Sequence, residues 1–94
     1  MKTQIAAFVA ALNAAFDDYT FTVEMGRKNA RIVQEPVKGA GRSVYCFVRI
    51  DDGAILKSAS WKAPAKGVRA WLPQVLESGL HGVDQYGGWL YCCR

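Results

Sequence analysis

The sequence is poor in the residues that build metal sites and disulfide frameworks. Its 94 residues contain one histidine, His81, and three cysteines, Cys46, Cys92 and Cys93, with no C-x-x-C pair. A structural zinc site needs four ligands at workable spacing, so we expect no metal and no cofactor. An odd cysteine count does not favour a disulfide framework, and this indicates a reducing, cytoplasmic location. Cys46 falls in a strand pattern and is interpreted as a core residue.

Groups with the arrangement of a catalytic site are also missing. His81, Asp84 and Ser78 invite comparison with a nucleophilic triad, but they share one short glycine-flanked segment, which does not suggest the oriented geometry of a triad. The aspartate pairs at 17–18 and 51–52 fall at a helix end and in a turn, where solvation and turn chemistry explain them. We therefore predict that the protein is not an enzyme and works by binding a partner.

No apolar run is long enough to span a bilayer. Residues 5–16 are interrupted by Asn13, have only Lys2 as a basic flank and show helical periodicity, so we interpret them as a helix of the folded domain and expect no membrane association. A length of 94 residues suits a single domain covering 1–94.

Helical periodicity is clearest over residues 3–16. One apolar stripe recurs at helical spacing, and it consists of Ile5, Phe8, Val9, Leu12 and Phe16. Thr3 can cap the N-terminus. Most of the remaining positions are alanine, which leaves a weakly polar outer face that could contact another subunit or be plain surface.

Three strands follow the helix. Residues 19–25 alternate strictly between apolar and polar, a turn is expected at 26–29, and a second strand runs to about Glu35, where Pro36 ends it. Residues 43–50 form the third strand, and Asp51-Asp52-Gly53 indicates a hairpin. A two-residue loop at 52–53 would pair Ile50 with Ile55 and Val44 with Trp61, although Val48 would then face Lys57, and a longer loop stays open.

After Trp61 the pattern changes. Prolines and glycines predict short helical turns around 64–71 and 74–78, with Pro73 in the first turn and Gly79 as the stop. Residues 89–93 are expected to form a last edge strand. The order predicts an α+β fold, in which an N-terminal helix packs on a small antiparallel sheet of three to five strands. The alternative is an Sm-like small β-barrel with an N-terminal helix.

Positive charge is in excess, with twelve Lys and Arg against eight Asp and Glu and a net charge of +4. The first candidate site is one face of the third strand with the arginine before it, namely Tyr45, Phe47, Arg49 and Arg42. Aromatic rings among arginines are typical of sheets that hold single-stranded nucleic acid. One long helix can cover only one sheet face, so we expect part of this face to be exposed; the alternative is that a helix covers it.

Two further basic clusters accompany the first. One combines cations with an aromatic ring in the segment after the hairpin, namely Lys57, Trp61, Lys62, Lys66 and Arg69, and it suits phosphate binding or a solvated connection around a buried tryptophan. The other lies at the first hairpin, where Arg27, Lys28 and Arg31 either follow a phosphate backbone or simply form a soluble turn.

The stretch GRSVYCFVRIDDGAILKSASWKAPAKGVR, residues 41–69, resembles a segment of small proteins from tailed bacteriophages and marine phage metagenomes. Gly-Arg-Lys at 26–28 and Gly-Trp-Leu-Tyr at 88–91 are also similar to that group. The resemblance implies a phage origin, but the group has no established activity, so no site residue is inherited from it. One marine-phage family of similar size is Sm-like, which keeps the barrel as an alternative.

The leading hypothesis is a non-catalytic nucleic-acid-binding accessory protein, with single strands favoured. In it Arg42, Arg49, Lys57, Lys62, Lys66 and Arg69 meet phosphate, while Tyr45, Phe47 and Trp61 meet bases. The alternative is a module that docks on a host or virion protein, with the alanine face of the first helix as a surface for homo-oligomers.

Overall fold

The computed structural model describes residues 2–80 and 82–83. An N-terminal helix precedes five antiparallel strands in sheet order 1-2-3-4-5 and a short second helix. The elements are α1 (Lys2–Ala15), β1 (Tyr19–Met25), β2 (Asn29–Pro36), β3 (Ser43–Arg49), β4 (Ala54–Leu56), β5 (Ala70–Trp71) and α2 (Leu72–Glu77). The predicted α+β fold is confirmed.

The sheet is open, so the Sm-like barrel alternative is wrong. Strands β4 and β5 contain only three and two residues. Closure of a barrel needs strands that are long enough to tilt and pair all the way round. Such short strands cannot carry the sheet back to β1, and the sheet has two distinct faces instead.

The core lies between α1 and one face of the sheet. The helix buries Ile5, Phe8 and Leu12, three members of the predicted stripe, while Val9 and Phe16 pack at the margin of the core. The sheet supplies buried residues from β1 to β4, namely Phe21, Ala30, Ile32, Cys46, Val48 and Ile55. Cys46 is therefore a core residue, as expected from the strand pattern.

Asn13 connects α1 to the edge of the sheet. Its Nδ2 donates to the carbonyl of Phe21 at 2.9 Å, and its Oδ1 accepts from the N–H of Phe21 at 2.8 Å. Strand β1 lies at the edge of the described sheet, where backbone groups that point outward lack a strand partner. The Asn13 amide takes the place of one residue of such a partner, a role that the helical periodicity around Asn13 does not predict.

The hairpin between β3 and β4 has a longer loop than the two-residue loop considered above. Val48 pairs with Ile55, the N–H of Gly53 donates to the carbonyl of Arg49 at 2.8 Å, and Gly53 has φ 78°. The two-residue register is wrong because it would place Lys57 opposite Val48. In the observed register two fully buried side chains face each other.

Strand β3 contains a bulge that moves one aromatic residue to the helix side of the sheet. Ile32 pairs with Cys46 and the next residue, Val33, pairs with Val44. Tyr45 is therefore an extra residue in β3. Its ring meets the Phe21 ring edge-on with centroids 5.1 Å apart, so Tyr45 belongs to the core, contrary to strict alternation along the strand.

Residues 57–69 form an irregular loop instead of a longer β4 followed by a helical turn. Backbone bonds run from the Ala65 N–H to the Lys57 carbonyl and from the Arg69 N–H to the Ile55 carbonyl, each 2.8 Å. Donors used across the loop are not available to a helix, so the helical turn predicted at 64–71 is wrong. Helix α2 confirms the second predicted turn, and Gly79 follows it with φ 68°. The strand predicted at 89–93 lies outside the described residues.

Candidate nucleic-acid interface

A row of four paired residues crosses the face of the sheet that points away from α1. Glu24 pairs with Arg31, Arg31 with Phe47, and Phe47 with Leu56, each on the next strand. Directly paired residues on antiparallel strands point to the same face. Because their neighbours along the strands belong to the core under α1, this outer row lies on the opposite face.

The outer row does not expose the aromatic rings expected from the sequence. Phe47 is 4 % exposed and Tyr45 is 5 % exposed. Tyr45 is buried because the bulge turns it into the core. Phe47 lies on the outer face, where loop 57–69 reaches the row and the Trp61 carbonyl accepts a hydrogen bond from Arg31, the residue paired with Phe47. The expectation that Tyr45 and Phe47 present stacking surfaces is therefore wrong, since a base needs an accessible ring face.

One carboxylate joins two arginines at the end of the outer row. Glu24 Oε1 lies 2.8 Å from Nη2 and 2.9 Å from Nε of Arg31, and its Oε2 lies 2.8 Å from Nη2 of Arg42. The hydrogen bond from Arg42 and then that from Arg31 hold the pKa of Glu24 below its ordinary value. All three side chains are partly exposed, so each ion pair adds little to stability.

Trp61 lies at the tip of the loop, against the same two arginines. The guanidinium carbons of Arg31 and Arg42 are 5.1 and 5.4 Å from the centroid of its ring. Arg31 Nη1 also donates to the Trp61 carbonyl at 2.8 Å. The residue nevertheless stays 38 % exposed, so part of Trp61 is accessible beside two cations.

A basic groove separates the β1–β2 turn from the loop. It consists of two depressions of about 230 and 410 Å³ that share Lys28 and Asn29. Phe47 borders the first and Leu56 borders the second, and these two residues pair directly across β3 and β4. The cations at the groove come from three segments, and they are Arg27, Lys28, Arg31, Arg49, Lys62 and Lys66.

Four of the groove cations are accessible. Arg27, Lys28, Lys62 and Lys66 are exposed, and none of them forms an ion pair with another residue of the described part of the chain. Arg49 is different, because its Nε lies 3.1 Å from Oδ1 of Asp52. The hydrogen bonds between the Arg49 guanidinium and the Asp52 carboxylate lower the pKa of Asp52 and raise the pKa of Arg49.

The structure brings together part of the predicted site. Lys62, Lys66 and Arg49 line the groove, and Arg42 and Trp61 join Glu24 at its end. Lys57 and Arg69 are half-buried and do not line either depression.

The residues predicted to form the site include neither the cations of the first hairpin nor Glu24. Arg27, Lys28 and Arg31 were considered as a separate cluster, yet they line the same groove as Lys62. Glu24 was missed altogether. The signal was present in the first hairpin, because a turn centred on residues 26–29 places Glu24 directly opposite Arg31.

A separate depression of about 370 Å³ lies at the other end of the sheet. It is lined by residues 17–19 and 36–39, including two aspartates and Lys38. It contains none of the predicted site residues. In the part of the chain that the structure describes, no group of three or more His, Cys, Asp or Glu could hold a metal, and no helix there has the length and apolar character to cross a membrane.

Comparison with models of protein families gives a match over nearly the whole chain. A family model described as "Family of unknown function (DUF7717)" matches residues 1–92. Neither the curated proteins nor the solved structures contain a match to the chain.

Proposed function

We propose that this chain, which belongs to the family of unknown function DUF7717, is a non-catalytic accessory protein of phage origin. In this proposal it binds single-stranded nucleic acid in the basic groove. One observation carries the proposal. Four exposed cations from two separate segments, the β1–β2 turn and loop 57–69, line a single groove with Trp61 at its end. Cations on both walls suit a phosphate backbone that runs between them.

The charge distribution favours single strands over a duplex read by a helix. Helix α1 has one basic residue, Lys2, and its exposed positions are mostly alanine. A helix in the major groove needs side chains that hydrogen-bond to base edges, and alanines provide none. The basic groove, in contrast, lies on the other side of the sheet and has a tryptophan for stacking.

Trp61 is the residue that we assign to base contact, in place of Tyr45 and Phe47. It keeps 38 % of its surface exposed, and the guanidinium carbons of Arg31 and Arg42 lie 5.1 and 5.4 Å from the centroid of its ring. A base stacked on an aromatic side chain contributes roughly 1–3 kcal/mol. We expect Trp61→Ala to weaken binding by that amount without changing the salt dependence, because no charge is removed.

Fluorescence anisotropy with a labelled single-stranded oligonucleotide tests the phosphate contacts. The double variant Lys28→Gln/Lys62→Gln removes one cation from each wall of the groove. The matched control Lys2→Gln/Lys38→Gln removes the same charge from exposed positions outside it. We expect the groove variant to bind more weakly and its log K against log salt slope to become shallower by about 1.4, since each lost contact to a single strand contributes about 0.7.

Two results would remove this proposal. The first is the absence of any binding by the native protein at low salt. The second is an equal loss of affinity in both double variants, which would mean that overall charge, and not the groove, attracts the oligonucleotide. Repeating the titration with DNA and RNA of the same sequence distinguishes the two nucleic acids.

A second candidate function is docking on a host or virion protein, or on another copy of this chain. The observation that favours it is the exposed alanine face of α1, formed by Ala6, Ala7, Ala10, Ala14 and Ala15. Multi-angle light scattering on the native protein and on Ala10→Glu tests self-association. A native oligomer that the substitution dissociates supports this candidate, and a native monomer at high concentration contradicts self-association through α1.

A further inference from the structure

Glu24 lies where an anionic ligand would meet two arginines. Its two carboxylate oxygens are each 2.8 Å from a guanidinium nitrogen, one of Arg31 and one of Arg42. Both guanidiniums also lie within 5.4 Å of the centre of the Trp61 ring. The carboxylate therefore occupies the centre of an arrangement with two cations and an accessible aromatic ring.

The same arrangement suits a phosphate group. Arginine forks match the oxygens of phosphate as well as those of carboxylate, and a phosphate beside an aromatic ring is what a stacked nucleotide presents. We infer that Arg31 and Arg42 form a phosphate-binding site, and that Glu24 occupies this site in the free protein and is exchanged for a phosphodiester of the bound strand. The identity of the ligand as nucleic acid rests on the proposed function, whereas the presence of an anion site does not.

Exchange is feasible because the internal pairs are accessible and weak. The Glu24 side chain is 39 % exposed and that of Arg42 is 46 % exposed. Solvent screens such pairs, so an incoming anion can displace the carboxylate at small cost. Arg31 also stays fixed by its bond to the Trp61 carbonyl at 2.8 Å, so release of Glu24 leaves one guanidinium in position.

The first experiment compares Glu24→Gln with a matched control, Glu35→Gln. Glu35 is an exposed carboxylate on neighbouring strand β2, and it forms no hydrogen bond or ion pair with either arginine. Both variants raise the net charge by one, so the control measures general attraction of anions. We expect Glu24→Gln to bind a single-stranded oligonucleotide about three- to tenfold more tightly than Glu35→Gln, which is the effect of removing a weak competitor.

The second experiment uses inorganic phosphate as the probe and needs no nucleic acid. The side-chain N–H signals of Arg31 and Arg42 are followed by NMR during a phosphate titration at low ionic strength. In Glu24→Gln we expect both signals to shift and to saturate at lower phosphate than in Glu35→Gln. Thermal unfolding of each variant confirms that the substitution leaves the fold intact.

The outcomes separate this inference from the proposed function. If Glu24→Gln binds oligonucleotide and phosphate no more tightly than Glu35→Gln, Glu24 only orients the two arginines and the inference is overturned. This holds even where the groove variants support nucleic-acid binding. If no variant binds oligonucleotide but the arginine signals of Glu24→Gln saturate with phosphate, the anion site stands and the proposed function fails. If the arginine signals do not respond to phosphate, the inference is overturned whatever the oligonucleotide data show.

Discussion

Replacement of Asn13 by alanine tests whether one amide side chain fastens α1 to the edge of the sheet. The substitution removes two hydrogen bonds of 2.8 and 2.9 Å to the backbone of Phe21. Each contributes about 0.5–1.5 kcal/mol net, so the loss is about 1–3 kcal/mol. Alanine recovers up to about 0.7 kcal/mol through its higher helix propensity. A net destabilisation of about 1.5 kcal/mol corresponds to a fall in melting temperature of roughly 6–12 °C for a chain of this size.

Urea unfolding followed by circular dichroism provides the measurement, and Gln4→Ala is the control. Gln4 is an exposed amide on the same helix, so its replacement changes helix propensity without breaking a contact to β1. We expect the control to stay within about 0.5 kcal/mol of the native protein. Equal stability of the two variants would refute the reasoning, because it would show that the two bonds to Phe21 contribute nothing.

Asn13→Asp distinguishes the two hydrogen bonds. A carboxylate can still accept from the Phe21 N–H but cannot donate to the Phe21 carbonyl, which it repels. We expect the repulsion from the Phe21 carbonyl to outweigh the bond from the Phe21 N–H, so that the pKa of the introduced carboxyl is raised in the folded state above its unfolded value of about 3.9. Stability that depends on its protonated form is present at low pH and is lost as pH rises through the folded pKa. We expect this variant to be less stable than Asn13→Ala near neutral pH and to recover on acidification.

Three further predictions concern single residues. Asp52 has a lowered pKa because it accepts hydrogen bonds from Arg49 and from the Ala54 N–H. Its contribution to stability is therefore present above its unfolded pKa of about 3.9 and is lost as pH falls from there through the lower, folded pKa. Asp52→Asn should flatten the fall in melting temperature on acidification, and an identical effect of Asp51→Asn would contradict the assignment. Burial raises the pKa of the Cys46 thiol, so iodoacetamide near neutral pH should modify Cys46 only after unfolding. Peptide mass spectrometry measures the modification. An equal rate in native and unfolded protein would disprove the prediction. Gly79 has φ 68° and open space where a Cβ would lie, so a substitution there meets backbone strain and no steric clash. Gly79→Ala should lower the free energy of unfolding by about 1 kcal/mol in chemical denaturation, and Gly79→Asn should lower it less. Equal losses in the two variants would show that the left-handed conformation is not the cause.

Elements with a strong local pattern were predictable. The strict alternation at 19–25 gave the bounds of β1 as observed, and the apolar stripe over 3–16 gave α1 within one residue at each end. The end of α2 was predictable as well, because glycine commonly follows a helix, and Gly79 does so here with positive φ. In each case the signal lies within a few residues of the chain, so no knowledge of distant partners was needed.

Features that depend on distant partners were not predictable. The register of the β3–β4 hairpin follows from the burial of Val48 against Ile55, and the bulge at Tyr45 follows from the offset of pairing between β2 and β3. The loop at 57–69 is held by backbone bonds to β4 and to itself. Local propensity carries no information about such bonds, which explains why the predicted helical turn was wrong.

The candidate site shows the same division. The sequence indicated three basic clusters, and the types of side chain were sufficient for that. Only the fold brings the hairpin cations and Lys62 to one groove, buries Phe47 and Tyr45, and leaves Trp61 partly exposed. Exposure depends on what packs over a residue: Tyr45 packs on Phe21 in the core, whereas the outer face meets a loop whose Trp61 carbonyl bonds to Arg31, thirty residues away in the chain.

The sequence by itself determined the helix, the first three strands, the positive charge and the core role of Cys46, because periodicity and composition act over short distances along the chain. The tertiary structure alone decided the open sheet, the two hydrogen bonds between Asn13 and Phe21, and the contact of Glu24 with Arg42. These depend on strand pairing and loop closure, in which residues far apart in sequence compete for the same partners, and that competition is resolved only when the whole chain folds.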